Sequence, residues 1–166
     1  MFGHEEPRCL KAGTILVIDD DPSMLDFLKQ RLSPENFAVV TTSTGQEGID
    51  QAIALSPDLI LLDLRMPVPD GVTVCKALRA NPKTQRIPIL VITGVLSPAQ
   101  LEAAMTSGAD DFVSKPIDMT DLLVRIRAML ACRTITDPIE RLTRYIETVR
   151  ASTNKSLHPH PPPDKK

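Results

Sequence analysis

Pro57-Asp58-Leu59-Ile60-Leu61-Leu62-Asp63-Leu64-Arg65-Met66-Pro67 is the stretch on which the reading of this chain turns. Leu59 to Leu62 make an apolar run bounded by turn signals, which fits a strand buried in a parallel sheet. The run delivers one carboxylate, Asp63, to its end and stops at the turn Met66-Pro67-Val68-Pro69-Asp70-Gly71. In open α/β sheets, ligands bind just beyond the carboxyl ends of the strands, and Asp63 stands at that place. Taken alone, an Asp there could simply cap the following turn, so the neighbouring segments decide its meaning.

Upstream, Thr14-Ile15-Leu16-Val17-Ile18 is a β-branched buried strand that runs into Asp19-Asp20-Asp21. Asp21 suits a helix cap and Pro22 the first turn, with Leu25, Leu28 and Leu32 on one face. Ser33-Pro34-Glu35-Asn36 ends that helix, Phe37-Ala38-Val39-Val40-Thr41 reads as a strand, and Gln46 to Leu55 as a helix through Ile49, Ala52 and Ile53. Downstream, a helix is expected over about 72–79, with Val74, Cys75 and Leu78 toward the sheet. Ile89-Leu90-Val91-Ile92-Thr93 is the next strand. Ser97-Pro98-Ala99-Gln100 resembles a capping box and opens a helix carrying Leu101, Ala104 and Met105. Asp111-Phe112-Val113-Ser114 is a short fifth strand leading to Lys115-Pro116, and a helix over about 119–131 buries Leu122, Leu123, Ile126 and Leu130. Five strand–helix alternations predict an α/β fold with a doubly wound five-stranded parallel sheet, right-handed crossovers and helices on both faces.

Composition narrows the function classes. With 19 basic and 21 acidic residues the net charge is −2, which gives no electrostatic footprint for nucleic acid. Aromatic residues are 3% and tryptophan is absent, so a stacking platform for single strands or sugars is not expected. Cys9, Cys75 and Cys132 match no metal spacing and read as reduced thiols. The first residues lack the apolar core of a signal peptide, and no run approaches the roughly 18 apolar residues of a membrane helix. A cytoplasmic protein, with no membrane insertion and no direct nucleic-acid contact, is the default.

The strand ends then assemble a constellation. The first strand contributes Asp19 and Asp20, the third Asp63, the fourth Thr93 and the fifth Lys115. Carboxylates sharing one cleft repel, so a proton or a cation must sit among them. Oxygen donors without His or Cys favour a hard ion, and a small, water-retaining site suits Mg²⁺. A hydroxyl and an ammonium opposite would complement an anion with several oxygens, so Asp63 reads as a phosphoryl acceptor, with Thr93 and Lys115 contacting the phosphoryl oxygens.

These residues carry a resemblance. Residues 14–131 resemble the receiver domain of two-component response regulators through Ile15-Leu16-Val17-Ile18-Asp19-Asp20-Asp21-Pro22, through Asp58 to Pro67 with Asp70-Gly71, through Pro88 to Thr93, and through Gly108-Ala109-Asp110-Asp111-Phe112-Val113-Ser114-Lys115-Pro116. The resemblance implies a flavodoxin-like sheet order 2-1-3-4-5. It implies Asp63 as phospho-acceptor, Asp20 and Asp63 as Mg²⁺ ligands, Asp19 as a ligand through water, and the backbone carbonyl of Arg65 as a further ligand. Thr93 and Lys115 would sense the phosphoryl group, Phe112 would be the switch aromatic, and Lys115-Pro116 would be a cis junction. The donor would be a sensor histidine kinase or a histidine phosphotransfer protein. The chain would be a switch rather than a turnover enzyme, with only self-catalysed phosphotransfer and hydrolysis. Gly94 stands where Ala is frequent and could loosen its loop. Arg65 and Val95 occupy sites that tune hydrolysis in the family, and Val95 offers no hydrogen bond to water, which favours a slow loss of the phosphoryl group.

Residues 1–12 read as a flexible arm, 13–133 as the receiver, 134–152 as a helical extension and 153–166 as a disordered Pro-rich tail. Asp137-Pro138-Ile139-Glu140 starts a helix with Ile139, Leu142, Ile146 and Val149 at spacings of three, four and three. That stripe fits either docking on the chain's own receiver or a dimer seam with a second copy. The output expected is a change in partner binding or self-association at the face of the fourth helix, fifth strand and fifth helix. The alternatives are the receiver part of a longer regulator whose effector domain is missing, and a metal-bound scaffold that acts without phosphorylation.

Overall fold

In the computed structural model, which describes residues 12–94 and 97–155, the run Leu59–Leu62 is a strand with all four side chains buried. The element order is β1 (Gly13–Ile18), α1 (Pro22–Leu32), a 3-10 turn (Ser33–Glu35), β2 (Phe37–Thr42), α2 (Gly45–Leu55), β3 (Leu59–Leu62), α3 (Gly71–Ala80), β4 (Ile89–Thr93), α4 (Pro98–Thr106), β5 (Asp111–Ser114), α5 (Met119–Cys132) and α6 (Pro138–Lys155). The five strands are parallel, in the order β2-β1-β3-β4-β5 that the resemblance implied. The readings of Cys9, Val95 and residues 156–166 fall outside the described residues.

The apolar runs are continuous because both sheet faces are covered. On one face Leu16, Ile18, Ile60, Leu62, Ile89 and Val91 pack with Ala52 of α2, with Val74, Cys75 and Leu78 of α3, and with Ala104 of α4. The alternate residues Ile15, Val17, Leu59, Leu61, Leu90 and Ile92 are buried on the other face. There α1 lies against β1 and β2 and buries Leu28 and Leu32. Each leucine or isoleucine fully removed from water contributes about 1.5–3 kcal/mol, so the sheet core dominates the stability of the fold.

Caps set the helix starts where the sequence placed them. Asp21 accepts from the Ser23 N–H, and Ser97 and Gln100 make a reciprocal capping box. Helix α4 buries only Ala104 fully, and Met105, expected on the same face, is 40% exposed. Successive helical residues are about 100° apart, so an inward Ala104 leaves Met105 to the side. The final helix also runs to Lys155, past the boundary expected at residue 152.

Arg79, which no sequence motif marks, ties α3 to the connections that lead into β4 and into β5. From the last turn of α3 its guanidinium donates to the carbonyls of Gly108 (2.8 Å), Gln85 (3.1 Å) and Ile87 (2.8 Å) and to Asp110 Oδ2 (2.8 Å). The same Asp110 oxygen accepts the Ile89 N–H at 2.8 Å, which fixes where β4 begins. Gly108 lies at φ +105°, and a β-carbon there would approach Arg79 Cγ at 2.6 Å.

The chain divides into two compact units between Ile117 and Asp118. In the second, α6 packs along α5, with its start capped by Asp137 Oδ1 accepting from the Glu140 N–H at 2.7 Å. Arg79→Met keeps the aliphatic stem and removes all four guanidinium hydrogen bonds. It is expected to destabilise the fold by about 2–3 kcal/mol, read as a lower urea midpoint at unchanged slope. A midpoint equal to wild type would refute the stapling role.

Candidate functional site

The register of the strands brings the predicted residues to one edge. Ile18 is level with Leu62, Leu62 with Val91, and Thr93 with Ser114. Asp19 and Asp63 are each the first residue past their strands, Thr93 is the last of β4, and Lys115 is the first past β5. Backbone bonds continue the ladder through them: the Asp63 N–H donates to Ile18 O at 2.9 Å and the Lys115 N–H to Thr93 O at 2.8 Å. These side chains are therefore aimed by rigid sheet rather than by loops.

One ammonium links the two buried acids. Lys115 Nζ lies 3.1 Å from Asp19 Oδ2 and 3.3 Å from Asp63 Oδ2. Asp19 Oδ1 also accepts the Asp21 N–H at 2.9 Å, and Asp63 Oδ1 the Arg65 N–H at 3.1 Å. Asp20 is exposed, and one carboxylate oxygen from each of Asp19, Asp20 and Asp63 lies within 4.8 Å of the others. An all-oxygen set with one solvent-facing member fits a hard divalent ion that keeps water.

Burial pushes the Asp19 carboxyl above its ordinary pKa, with the Asp21 N–H and Lys115 opposing the rise and the Asp63 charge adding to it. Burial also disfavours the Lys115 ammonium, but the hydrogen bond to Asp19 and the charges of Asp19 and Asp63 outweigh it and raise its pKa. Thr93 Oγ1 is buried and has no hydrogen-bond partner among the described residues. An orphaned hydroxyl costs desolvation energy unless something meets it, and it stands at the edge where the acids converge.

Not every residue joins the cluster. Phe112 is 37% exposed on β5. Beyond its backbone carbonyl and its expected place among the positions that tune hydrolysis, Arg65 has its guanidinium over Gly94: a β-carbon on Gly94 would collide with Nη2 and come within 3.1 Å of Cζ. Gly94 thus leaves room for Arg65. Gly71, the first residue of α3, approaches the acceptor strand so closely that a β-carbon would run into the Asp63 carbonyl oxygen and Leu64 Cα. The Lys115–Pro116 peptide is cis, and so is Val68–Pro69, which the sequence reading did not single out.

A doubly wound α/β unit with three acids and one lysine at the carboxyl edge of its sheet defines the class. The family model for the response regulator receiver domain matches residues 15–127, and the chain belongs to that family, whose members serve phosphorylation-based signalling in two-component systems. It is 38% identical over 133 residues to the DNA-binding dual master transcriptional regulator RpaA of Synechocystis sp., covering 80% of this chain and 54% of the relative. It is 39% identical over 116 residues to the response regulator ArlR of Staphylococcus aureus, covering 70% and 52%. The chain thus spans about half the length of the curated relatives it matches. The CheY-like receiver domain protein of Methanospirillum hungatei has a similar structure, with a TM-score of 0.67 at 30% identity, covering 75% of this chain and 96% of that one.

Two expectations follow. Gly71→Ala meets backbone that cannot step aside and is expected to cost about 1–3 kcal/mol, whereas Gly94→Ala meets the end of a flexible arginine and should cost under about 0.5 kcal/mol. Equal thermal midpoints for the two variants would contradict this geometry. A carboxyl whose pKa is raised by folding binds its proton more tightly in the folded state, so its contribution to stability falls as pH rises through that range. Asp19→Asn removes that cost and keeps an oxygen for the Asp21 N–H. In metal-free buffer at neutral pH it should be more stable than wild type, the gain vanishing below the unfolded carboxyl pKa of about 3.9. A lower melting temperature for the variant at neutral pH would overturn the assignment.

Proposed function

We propose that the chain is a phosphorylation-dependent switch in which Asp63 accepts a phosphoryl group from a histidine kinase or a histidine phosphotransfer protein. The observation that carries this reading is the Lys115 ammonium shared between Asp19 and Asp63, next to the unpartnered Thr93 hydroxyl at the same sheet edge.

In the transfer, a carboxylate oxygen of Asp63 attacks the phosphorus of a phosphohistidine. The new P–O bond forms as the P–N bond breaks, and imidazole leaves. Lys115 is held at the attacked side by two carboxylates and pairs with a phosphoryl oxygen as negative charge moves toward Asp63. Thr93 gains in the phosphorylated state the acceptor that its buried hydroxyl lacks. Asp19, Asp20, Asp63 and the Arg65 carbonyl would hold Mg²⁺, which supplies neutralisation of phosphoryl charge. The oxygen-only donor set favours this ion. Hydrolysis of the acyl phosphate is slow in this reading.

Movement of Thr93 toward a new oxygen changes the pull on β4 and on Lys115, whose N–H holds the Thr93 carbonyl. The readout in this reading is the α4–β5 surface, where Met105 and Phe112 are both exposed; inward rotation of Phe112 would change what that surface binds. A second reading rests on length: the relatives are about twice as long as their matched part, so the receiver can serve an effector domain of a longer regulator.

Incubated with a small phosphodonor and Mg²⁺, the wild-type chain is expected to gain the mass of one phosphoryl group, and Asp63→Asn none. Mg²⁺ alone should raise the melting temperature of the wild type and leave that of a variant lacking both Asp19 and Asp20 carboxylates unchanged. Unmodified wild-type mass under these conditions would sink the acceptor role and leave the metal-bound scaffold as the better reading.

A further inference from the structure

The connections that carry the site residues also carry apolar residues into solvent. Pro22 opens α1 just after Asp19, Asp20 and Asp21, Pro67 and Val68 follow Asp63, and Pro116 follows Lys115; all four are exposed. Val68 is 96% exposed, the most of any large hydrophobic side chain among the described residues. A lone apolar side chain on a loose surface loop needs no explanation. The Val68 loop is not loose. The Gly71 N–H closes it by donating to the Leu64 carbonyl at 3.1 Å, and Gly71 rests on the Asp63 and Leu64 backbone. Prolines flank Val68 on both sides and restrict the backbone there. The start of α2 backs the loop: a β-carbon on Gly45 would come within 2.5 Å of the Pro69 carbonyl oxygen and 2.9 Å of Pro69 Cγ. Asp70 then caps α3, accepting the Thr73 N–H at 2.9 Å. Val68 is thus held out by a framework already ordered on folding, so covering its side chain with a partner forfeits little further loop entropy.

We propose that Val68 is a docking anchor for the protein that delivers the phosphoryl group, seated against an apolar patch beside that protein's phosphohistidine. The proposal rests on Asp63 as the acceptor. Asp63 is 6% exposed, so an imidazole must enter the cleft before its phosphorus can be attacked. A histidine side chain is short, and the donor's own surface therefore comes down on the connections that ring Asp63. Val68 is the fifth residue after Asp63, on the connection that leaves the central strand of the sheet. With Pro22 and Pro116 it makes an uncharged collar around a charged centre. A donor with a carboxylate beside its histidine would have to desolvate that charge against Val68, so the collar selects apolar neighbours. A small phosphodonor enters the cleft without bringing a surface and makes no use of Val68.

The test compares two kinds of donor on the full chain with Mg²⁺. One is phosphoramidate; the other is a panel of isolated histidine phosphotransfer domains carrying radiolabelled phosphohistidine, each at rising concentration. Val68→Asp, at a fully solvated position, should keep the wild-type circular dichroism and gain a phosphoryl group from phosphoramidate at the wild-type rate. Its labelling by the domains that serve the wild type should fall about tenfold or more, through a higher half-saturating concentration at an unchanged limiting rate. Val68→Ile should behave as wild type with both donors. Protein-to-protein transfer indifferent to Val68→Asp overturns the proposal, and so does equal slowing with both donors, which would place Val68 in shaping the cleft. A wild type labelled by phosphoramidate but by none of the domains overturns the docking role while leaving Asp63 as acceptor. Label from neither source removes the acceptor role and the anchor with it.

Discussion

Two carboxylates, each 7% exposed or less, share one ammonium at the carboxyl edge of a parallel sheet, and the rest of this domain follows from making that arrangement tolerable. Buried acids are costly unless paired, hydrogen-bonded or neutralised by a cation. Here each acid keeps one oxygen for a backbone N–H two residues ahead and turns the other to Lys115. The sheet sets the spacing, because β1 and β3 end level with each other and β4 and β5 end level two residues further on, and α3 holds the Asp63 backbone in place by packing Gly71 against it. The edge keeps a raised Asp19 pKa and an unsatisfied Thr93 hydroxyl, both of which favour the arrival of positive charge and of an oxygen-rich anion.

Much of this was legible in the order of residues, because the governing features are local. An apolar run of four to six residues that ends in Asp, Thr or Lys announces both a buried strand and what it carries. Parallel strands with short loops leave no choice about which end those residues share. Asp21-Pro22, Ser97-Pro98-Ala99-Gln100 and Asp137-Pro138-Ile139-Glu140 announced their helices for the same reason: capping is chemistry within one turn. The sheet order and the cis Lys115–Pro116 bond came from family resemblance rather than from the residues themselves.

What the sequence hid was the reach of long side chains. Arg79 looks like any solvated arginine at a helix end until the turn at Gly108 is folded beside it. Arg65 crosses to Gly94 over a distance no spacing rule measures, and it turns an apparent weakness of the loop into room for a guanidinium. The stripe on α6 was visible as a periodicity, but which row of the helix would face α5 was not. Periodicity finds an apolar face and cannot say whether its partner is the same chain or another.

In the proposed switch, the acid at the end of β3 carries the phosphoryl group. The most direct measurement is borohydride trapping of the phosphodonor-treated chain followed by peptide mass mapping, since only an acyl phosphate is reduced by this route. Reduction is expected at residue 63 alone, converting that Asp to homoserine. Reduction at Asp19 or Asp20 instead, or a phosphoryl group retained on a hydroxyl such as that of Thr93, would contradict it.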